Sequence, residues 1–253
     1  MSIRVLLLAG TSEASKLAEE LSRERRVELI VSLAGRTSRP MVAPHARLRT
    51  GGFGGVDGLR EHLRHDAIDM VIDATHPFAA VMPFHAAEAC EQAGVPLLKL
   101  YRPAWTPVPG DRWIRVSDLA EAAASLVSHG ARQVFLTTGR QELEPFRSLR
   151  GVTFVVRAVE PPDLRGFEAA TPLLMRGPFD LAGERLILTE HRIDTLVTKN
   201  SGGAAAEAKL HAARELGVRV VIVERPPIPC VPTVPSVAEA LSWLKERAGT
   251  SVE

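Results

Sequence analysis

The chain has 253 residues, of which 45% are hydrophobic and 24% charged, and its formal net charge is +1. A chain of this length can bury one large core or two cores of ordinary domain size, and its small net charge argues against electrostatic attraction to DNA or an acidic membrane. Aromatic residues make up only 5%, and the two cysteines have neither metal-ligand spacing nor a disulfide pattern, so we expect no nucleic-acid partner, no membrane partner and no metal site.

The first predicted element is a short apolar strand, residues 3–9, followed by a turn and a helix. Because this strand begins directly at the N-terminus, we expect no signal peptide and a cytoplasmic location. Gly10 permits close backbone approach, and Thr11 or Ser12 can cap the helix. Such a helix N-terminus favours an anion, which predicts a site for the pyrophosphate of a dinucleotide. The predicted cofactor contacts here are Gly10, Thr11, Ser12, Glu13 and Ala14.

This turn has one glycine where dinucleotide-binding turns usually have three, in the pattern G-x-G-x-x-G. A βα turn without a ligand is therefore the alternative.

The second predicted strand, residues 27–32, ends in a loop that bears on the type of cofactor. In dinucleotide-binding domains an acidic residue at this position holds the ribose 2′-hydroxyl of NAD. Here the loop has no carboxylate but contains two arginines and three hydroxyl side chains. Such donors suit a 2′-phosphate, so we predict NADPH, bound by Ser32, Arg36 and Thr37. The alternative is a solvated loop with ordinary surface arginines.

A further strand, residues 70–73, carries the next candidate residues to the carboxyl edge of the sheet. Ligands of open α/β sheets lie at this edge, and the position suits the nicotinamide end of a cofactor. Pro77 is predicted to start a helix that ends near Ala93. The predicted contacts are Thr75, His76, Pro77 and Phe78. The alternative for His76 is a capping or packing role.

Strands and helices alternate along both halves of the chain, which predicts an α/β fold with two Rossmann-like parallel-sheet domains and a cleft between them. A proline-rich stretch, residues 102–110, indicates the boundary. We therefore predict a cofactor-binding domain over residues 1–110 and a substrate-side domain over residues 111–253. The apolar run at residues 95–101 could join either sheet.

Three cations follow strands of the second half, each close to a glycine: Arg140, Arg176 and Lys199. Side-chain charge together with exposed backbone N–H groups is what a polyanionic substrate requires, although each residue alone could be a surface charge. The predicted substrate contacts are Arg140, Arg176, Lys199, Asn200, Ser201 and Gly202.

Five stretches together resemble the precorrin-6A reductase family of cobalamin biosynthesis: Leu-Ala-Gly-Thr-Ser-Glu-Ala at 8–14, Asp-Ala-Thr-His-Pro-Phe-Ala at 73–79, Thr-Gly-Arg at 138–140, Arg-Gly-Pro-Phe at 176–179 and Thr-Lys-Asn-Ser-Gly-Gly at 198–203. The resemblance implies an NADPH-dependent reduction of one conjugated double bond in a carboxylate-bearing tetrapyrrole. His76 and Lys199 are candidate proton donors, with solvent as the alternative. Two questions stay open: whether the macrocycle is passed to neighbouring pathway enzymes, and whether the substrate is metal-free or contains cobalt.

Two other functions are compatible with the residues. The first domain alone would serve an NADPH-dependent reductase of a small imine or carbonyl compound. A non-catalytic dinucleotide sensor is the second alternative, although a sensor has no evident use for three cations at strand ends.

Overall fold

The computed structural model describes residues 2–35 and 44–250. The chain forms two compact units, one comprising Met1–Pro103 with Pro226–Glu253 and the other Ala104–Arg225. Each unit contains a six-stranded sheet in which every strand pair is parallel, so the predicted α/β class with two Rossmann-like sheets is confirmed. No helix in the described part of the chain is long and apolar enough to cross a bilayer.

The first unit has the strand order β12-β5-β4-β1-β2-β3. Its strands are β1 (Ile3–Leu8), β2 (Val27–Leu33), β3 (Arg47–Thr50), β4 (Met70–Asp73), β5 (Leu97–Leu100) and β12 (Thr233–Val234). Its helices are α1 (Ser12–Ser22), α2 (Gly55–His65), α3 (Met82–Ala93) and α7 (Val237–Thr250).

Strand β1 is apolar throughout because both of its faces are covered. Val5 and Leu7 pack with residues of α1 and α7 on one face, and Leu6 and Leu8 pack with residues of α2 and α3 on the other. All four side chains are at most 2% exposed. Burial on both faces is the usual reason for a continuous apolar run in a parallel strand.

The strand order reverses between β1 and β4, which are neighbours in the sheet. From β1 the chain adds β2 and β3 on one side, whereas β4, β5 and β12 lie on the other. Such a reversal opens a crevice at the carboxyl ends of the two central strands, where open α/β sheets bind ligands. We call this position the first switch point, formed by residues 9–11 and 74–76.

The second unit has the strand order β6-β11-β10-β7-β8-β9, with its own reversal between β7 and β10. Its strands are β6 (Trp113–Val116), β7 (Gln133–Leu136), β8 (Thr153–Ala158), β9 (Ala169–Leu174), β10 (Thr195–Lys199) and β11 (Arg219–Val223). Its helices are α4 (Leu119–Ser128), α5 (Leu181–Glu190) and α6 (Ala208–Glu215). Residues 137–140 and 200–203 form the second switch point.

The predicted domain limits differ from the observed units in two respects. The chain passes from the first unit to the second after Pro103, rather than after residue 110. The assignment of residues 226–253 to the second domain is wrong, because they belong to the first unit. Strand β12 pairs with β5, and Ala240 and Leu244 of α7 are buried in the first unit's core. The apolar run at 95–101 supplies β5 of the same sheet.

The predicted start of a helix at Pro77 is also wrong, because α3 begins at Met82. Pro83 occupies the first helical turn, where a missing N–H costs nothing. The predicted end of this helix near Ala93 is confirmed, and Gly94 closes it in the left-handed conformation with φ 69°.

Candidate functional site

The first switch point brings the Gly10 turn against the segment that follows β4. A β-carbon built on Gly10 would lie 3.5 Å from the backbone nitrogen of His76 and 3.8 Å from the α-carbon of Thr75. Thr11 caps α1, since its Oγ1 accepts a hydrogen bond from the N–H of Ala14 at 3.1 Å. The same hydroxyl donates to the carbonyl of Ala74 at 3.1 Å and so ties the two segments together. Sequence had predicted both segments as cofactor contacts, and the structure makes them neighbours.

The other residues predicted in this turn have different surroundings. Ser12 is exposed, whereas the Ala14 side chain is fully buried in the core and its N–H is taken by the helix cap. The Glu13 carboxylate forms an ion pair with Arg102, with 2.5 Å between Oε2 and Nη1. Burial raises the pKa of Glu13, but the charge of Arg102, a backbone hydrogen bond and the hydrogen bonds of Arg102 and Ser12 together outweigh it, so the net pKa is lowered. Arg102 thus compensates the negative charge beside the helix N-terminus.

A buried ion pair that sequence reasoning missed lies directly beneath this site. The Nζ of Lys99 is 2.7 Å from Oδ2 of Asp73, and the two side chains are 1% and 2% exposed. The other carboxylate oxygen, Oδ1, accepts hydrogen bonds from the Thr75 N–H at 3.0 Å and from the Thr75 hydroxyl at 2.6 Å. Asp73 therefore fixes the conformation of the turn at Thr75. A lysine within the apolar run Leu-Leu-Lys-Leu was the sequence signal for this pair.

His76 is half-buried and is held by the residues that follow it. Its Nδ1 accepts a hydrogen bond from the N–H of Phe78 at 3.2 Å, and the two rings are 6.0 Å apart between centroids. Because Nδ1 is an acceptor, the neutral imidazole carries its proton on Nε2. His76 thus has a capping role toward Phe78.

At the end of β2, Ser32 is 5% exposed and lies opposite Arg49 of β3. The Arg49 Nη1 is 3.5 Å from the Ser32 hydroxyl oxygen. Arg36 and Thr37, the other predicted contacts of a 2′-phosphate, lie outside the described residues. Arg49 was not among the predicted cofactor residues, because its proximity to Ser32 depends on the pairing of β2 with β3.

Of the three predicted cations of the second unit, Arg140 and Arg176 follow β7 and β9, and Lys199 is the last residue of β10. The structure pairs two of them with carboxylates: Arg140 with Glu160 at 2.9 Å and Lys199 with Glu142 at 2.7 Å. Arg176 is exposed. An anionic ligand at Arg140 or Lys199 would therefore exchange with a glutamate that is already present.

Asn200, one of the predicted substrate contacts, has a buried side chain that is bonded within the protein. Its side chain is 1% exposed, with Oδ1 accepting from the Trp105 N–H at 2.9 Å and Nδ2 donating to the Trp105 carbonyl at 3.2 Å. Both polar groups of the side chain are thus used to anchor the start of the second unit. Ser201 and Gly202 follow at the second switch point, where Gly202 has the left-handed φ of 65° that favours glycine.

A second buried ion pair supports the loop that contains Arg176. Arg157 of β8 and Glu184 of α5 are 2.5 Å apart between Nη1 and Oε1, with side-chain exposures of 5% and 1%. The Arg157 guanidinium carbon also lies 3.8 Å from the centroid of the Phe179 ring. Burial lowers the pKa of Arg157, with Glu184 acting against this effect. The pair and the stacked ring hold Phe179, three residues from Arg176, against the sheet.

Comparison with known proteins gives consistent matches over nearly the whole chain. Residues 4–245 match the family model described as "Precorrin-6x reductase CbiJ/CobK". A precorrin-6A reductase from Rhodococcus erythropolis is 48% identical over 242 residues, covering 95% of this chain and 97% of the relative. A cobalt-precorrin-6A reductase from Methanothermobacter thermautotrophicus is 32% identical, covering 88% of this chain and 77% of the relative. The solved structure of CobK precorrin-6A reductase has a TM-score of 0.90 and 42% identity, and the match covers 96% of each chain.

Proposed function

The chain belongs to the precorrin-6x reductase family CbiJ/CobK, and from this membership we propose that it uses NADPH to reduce precorrin-6A. It is an oxidoreductase of cobalamin biosynthesis that acts on a C=C group of a tetrapyrrole macrocycle and needs a reduced nicotinamide cofactor. The relative named for precorrin-6A is more similar than the one named for cobalt-precorrin-6A, 48% against 32% identity, which supports a metal-free substrate.

The cofactor is assigned to the first switch point, and the packing of the Gly10 turn against the segment 74–76 is the observation that carries this assignment. A β-carbon at position 10 would be in ordinary van der Waals contact with the backbone of Thr75 and His76, so the two segments are adjacent walls of the crevice. The N-terminus of α1 faces the same crevice and favours a pyrophosphate. Because Arg102 neutralises Glu13, the pyrophosphate would not meet an uncompensated carboxylate.

The bound cofactor supplies hydride, so this chain's residues need to orient the reacting carbons, exclude water and deliver a proton. Thr75, held by both of its hydrogen bonds to Asp73, gives the nicotinamide end a rigid boundary. His76 is the first candidate for the group that holds the proton. Lys199, held by Glu142, is the second candidate, and solvent is the third.

The macrocycle is assigned to the cations of the second unit. Arg140 follows the central strand β7 and Lys199 ends the central strand β10, so both lie at the carboxyl edge where ligands of such sheets bind. Acetate and propionate groups of the substrate can replace Glu160 and Glu142 as their partners, and exposed Arg176 adds a third charge. Backbone N–H groups at Ser201 and Gly202 provide further donors, whereas the Asn200 side chain is assigned a structural role.

The reaction is tested with the purified full chain, precorrin-6A and either NADPH or NADH, by recording the absorbance of both ligands. We expect one NADPH oxidised for each macrocycle reduced, and much slower turnover with NADH. Binding of NADPH without its oxidation would indicate a sensor. Turnover of small imines or carbonyls, but not of the macrocycle, would indicate the small-molecule reductase.

The assignment of the macrocycle is tested with Arg140→Gln, Arg176→Gln and Lys199→Met. Each variant should weaken macrocycle binding by about 1–3 kcal/mol while NADPH affinity stays nearly unchanged, because a charge-assisted hydrogen bond is lost. Arg150→Gln is the matched control, since Arg150 is exposed and precedes β8 at the opposite edge of the sheet. If NADPH affinity collapses instead, the second unit holds the cofactor and the two assignments are reversed.

A further inference from the structure

We propose that Arg49 is a specificity-determining residue that binds the 2′-phosphate of NADPH. The inference rests on the proposed assignment of the cofactor to the first unit. Arg49 was not among the residues predicted from the sequence to bind the cofactor.

Arg49 lies beside the end of β2 in the sheet of the first unit. Ser32 of β2 and Arg49 of β3 are paired in register, so their side chains lie on the same face. The Arg49 Nη1 is 3.5 Å from the Ser32 hydroxyl oxygen, one residue before β2 ends. In dinucleotide-binding sheets the end of this strand meets the adenosine ribose. Arg49 therefore places a positive charge where the 2′-phosphate would lie.

The guanidinium is also held in a fixed orientation. Nη1 donates to the carbonyl of Gly51 and Nη2 to the carbonyl of Gly52, both at 2.7 Å. The guanidinium carbon lies 3.7 Å from the centroid of the Phe53 ring, so the cation lies over an aromatic face. A planar group with fixed donors suits a phosphate better than a flexible ammonium, because less conformational freedom is lost on binding.

The positive charge of Arg49 has no carboxylate partner among the described residues. Its hydrogen bonds are to neutral oxygen atoms, and no carboxylate in residues 2–35 or 44–250 forms an ion pair with it. The segment 36–43, Arg-Thr-Ser-Arg-Pro-Met-Val-Ala, has no acidic residue that could supply one. Burial lowers the pKa of the guanidinium, while the more distant charge of Asp66 opposes this effect.

Two other partly or fully buried arginines have a carboxylate partner: Arg102 has Glu13 and Arg157 has Glu184. A half-buried cation that bonds only neutral oxygens gains most from an anion that arrives with a ligand. The phosphate that distinguishes NADPH from NADH is such an anion, and it would arrive at this strand end.

The experiment uses two probes that differ only in a phosphate at the ribose 2′ position, 2′,5′-ADP and 5′-AMP. Their dissociation constants are measured by calorimetry for the full-length wild type, Arg49→Gln and Arg47→Gln. Arg47→Gln is the matched control because Arg47 lies on the same strand, loses the same charge and is exposed and paired with Asp66. We expect Arg49→Gln to weaken 2′,5′-ADP by about 10- to 100-fold and to leave 5′-AMP nearly unchanged. The control should bind both probes like the wild type.

The outcomes separate this inference from the proposed use of NADPH. If the wild type prefers 2′,5′-ADP and Arg49→Gln keeps that preference, Arg49 does not read the phosphate, although NADPH stands as the cofactor. If the wild type binds both probes equally, the proposed use of NADPH is itself wrong. If Arg49→Gln weakens the binding of both probes equally, Arg49 is a structural residue and the inference is overturned.

A second variant guards against misfolding of Arg49→Gln. Arg49→Lys keeps the positive charge but lacks the planar fork and the stacking on Phe53. It should weaken 2′,5′-ADP less than Arg49→Gln does, and again more than it weakens 5′-AMP. A Lys variant that weakens 5′-AMP as strongly as 2′,5′-ADP would overturn the inference even if the Gln variant cannot be purified.

Discussion

Replacing Lys99 with Met tests whether the buried ion pair with Asp73 holds the turn at the first switch point. Methionine has a similar length and apolar character but no ammonium group. At 2.7 Å and an effective dielectric constant of about 20, the attraction that is removed is about 6 kcal/mol before desolvation is counted. The Asp73 carboxylate would then be buried without a cation, so we expect unfolding to become easier by about 3–5 kcal/mol.

Two double variants separate the loss of charge from the loss of the hydrogen bonds to Thr75. Asp73→Asn with Lys99→Met has no buried charge and keeps an acceptor for Thr75, so it should recover most of the stability. Asp73→Leu with Lys99→Met has no buried charge either but removes that acceptor, leaving the Thr75 N–H and hydroxyl unpaired. We expect it to be less stable than the Asn double variant by about 1–3 kcal/mol and to bind NADPH more weakly.

The measurement is hydrogen exchange under native conditions on peptides covering residues 70–76, together with urea unfolding of each variant. These peptides report on the first unit, whereas peptides from β7 and β10 provide an internal reference in the second. A Lys99→Met protein within about 1 kcal/mol of wild type would refute the reasoning, since an unpaired buried carboxylate costs more than that. If Asp73→Asn with Lys99→Met is no more stable than Lys99→Met alone, packing and not charge causes the loss of stability.

Three further predictions address other parts of the chain. His76→Ala should lower kcat by more than it raises the NADPH dissociation constant, whereas normal turnover would limit His76 to its capping role. Asn200→Ala should destabilise the second unit by about 2–3 kcal/mol, because the Trp105 N–H and carbonyl lose their partners. The measurement is urea unfolding, and an unchanged midpoint would show that water replaces the amide. A thiol reagent at pH 8 should modify exposed Cys230 but not buried Cys90. Burial and, secondarily, the charge of Asp73 raise the pKa of the Cys90 thiol to about 12. Modification of both thiols in the folded protein would contradict this prediction.

Local patterns in the sequence were sufficient for the fold class and for most strands of the two sheets. The apolar run at 3–9 predicts a strand covered on both faces, and β1 is buried on both. The cap at Thr11 and the end of α3 at Gly94 follow from side-chain chemistry within a few residues. Such features could be predicted because each depends on neighbours in the chain.

Only the tertiary structure decided which unit the last residues join and which partners the charged groups have. The return of β12 to β5 brings residues more than 130 positions apart into one sheet, and no local pattern specifies that pairing. Lys99 meets Asp73 and Arg49 meets Ser32 because parallel strands pair in a particular register. A one-residue change of register would turn these side chains to the other face, so sequence can identify a charge in an apolar strand but not its partner.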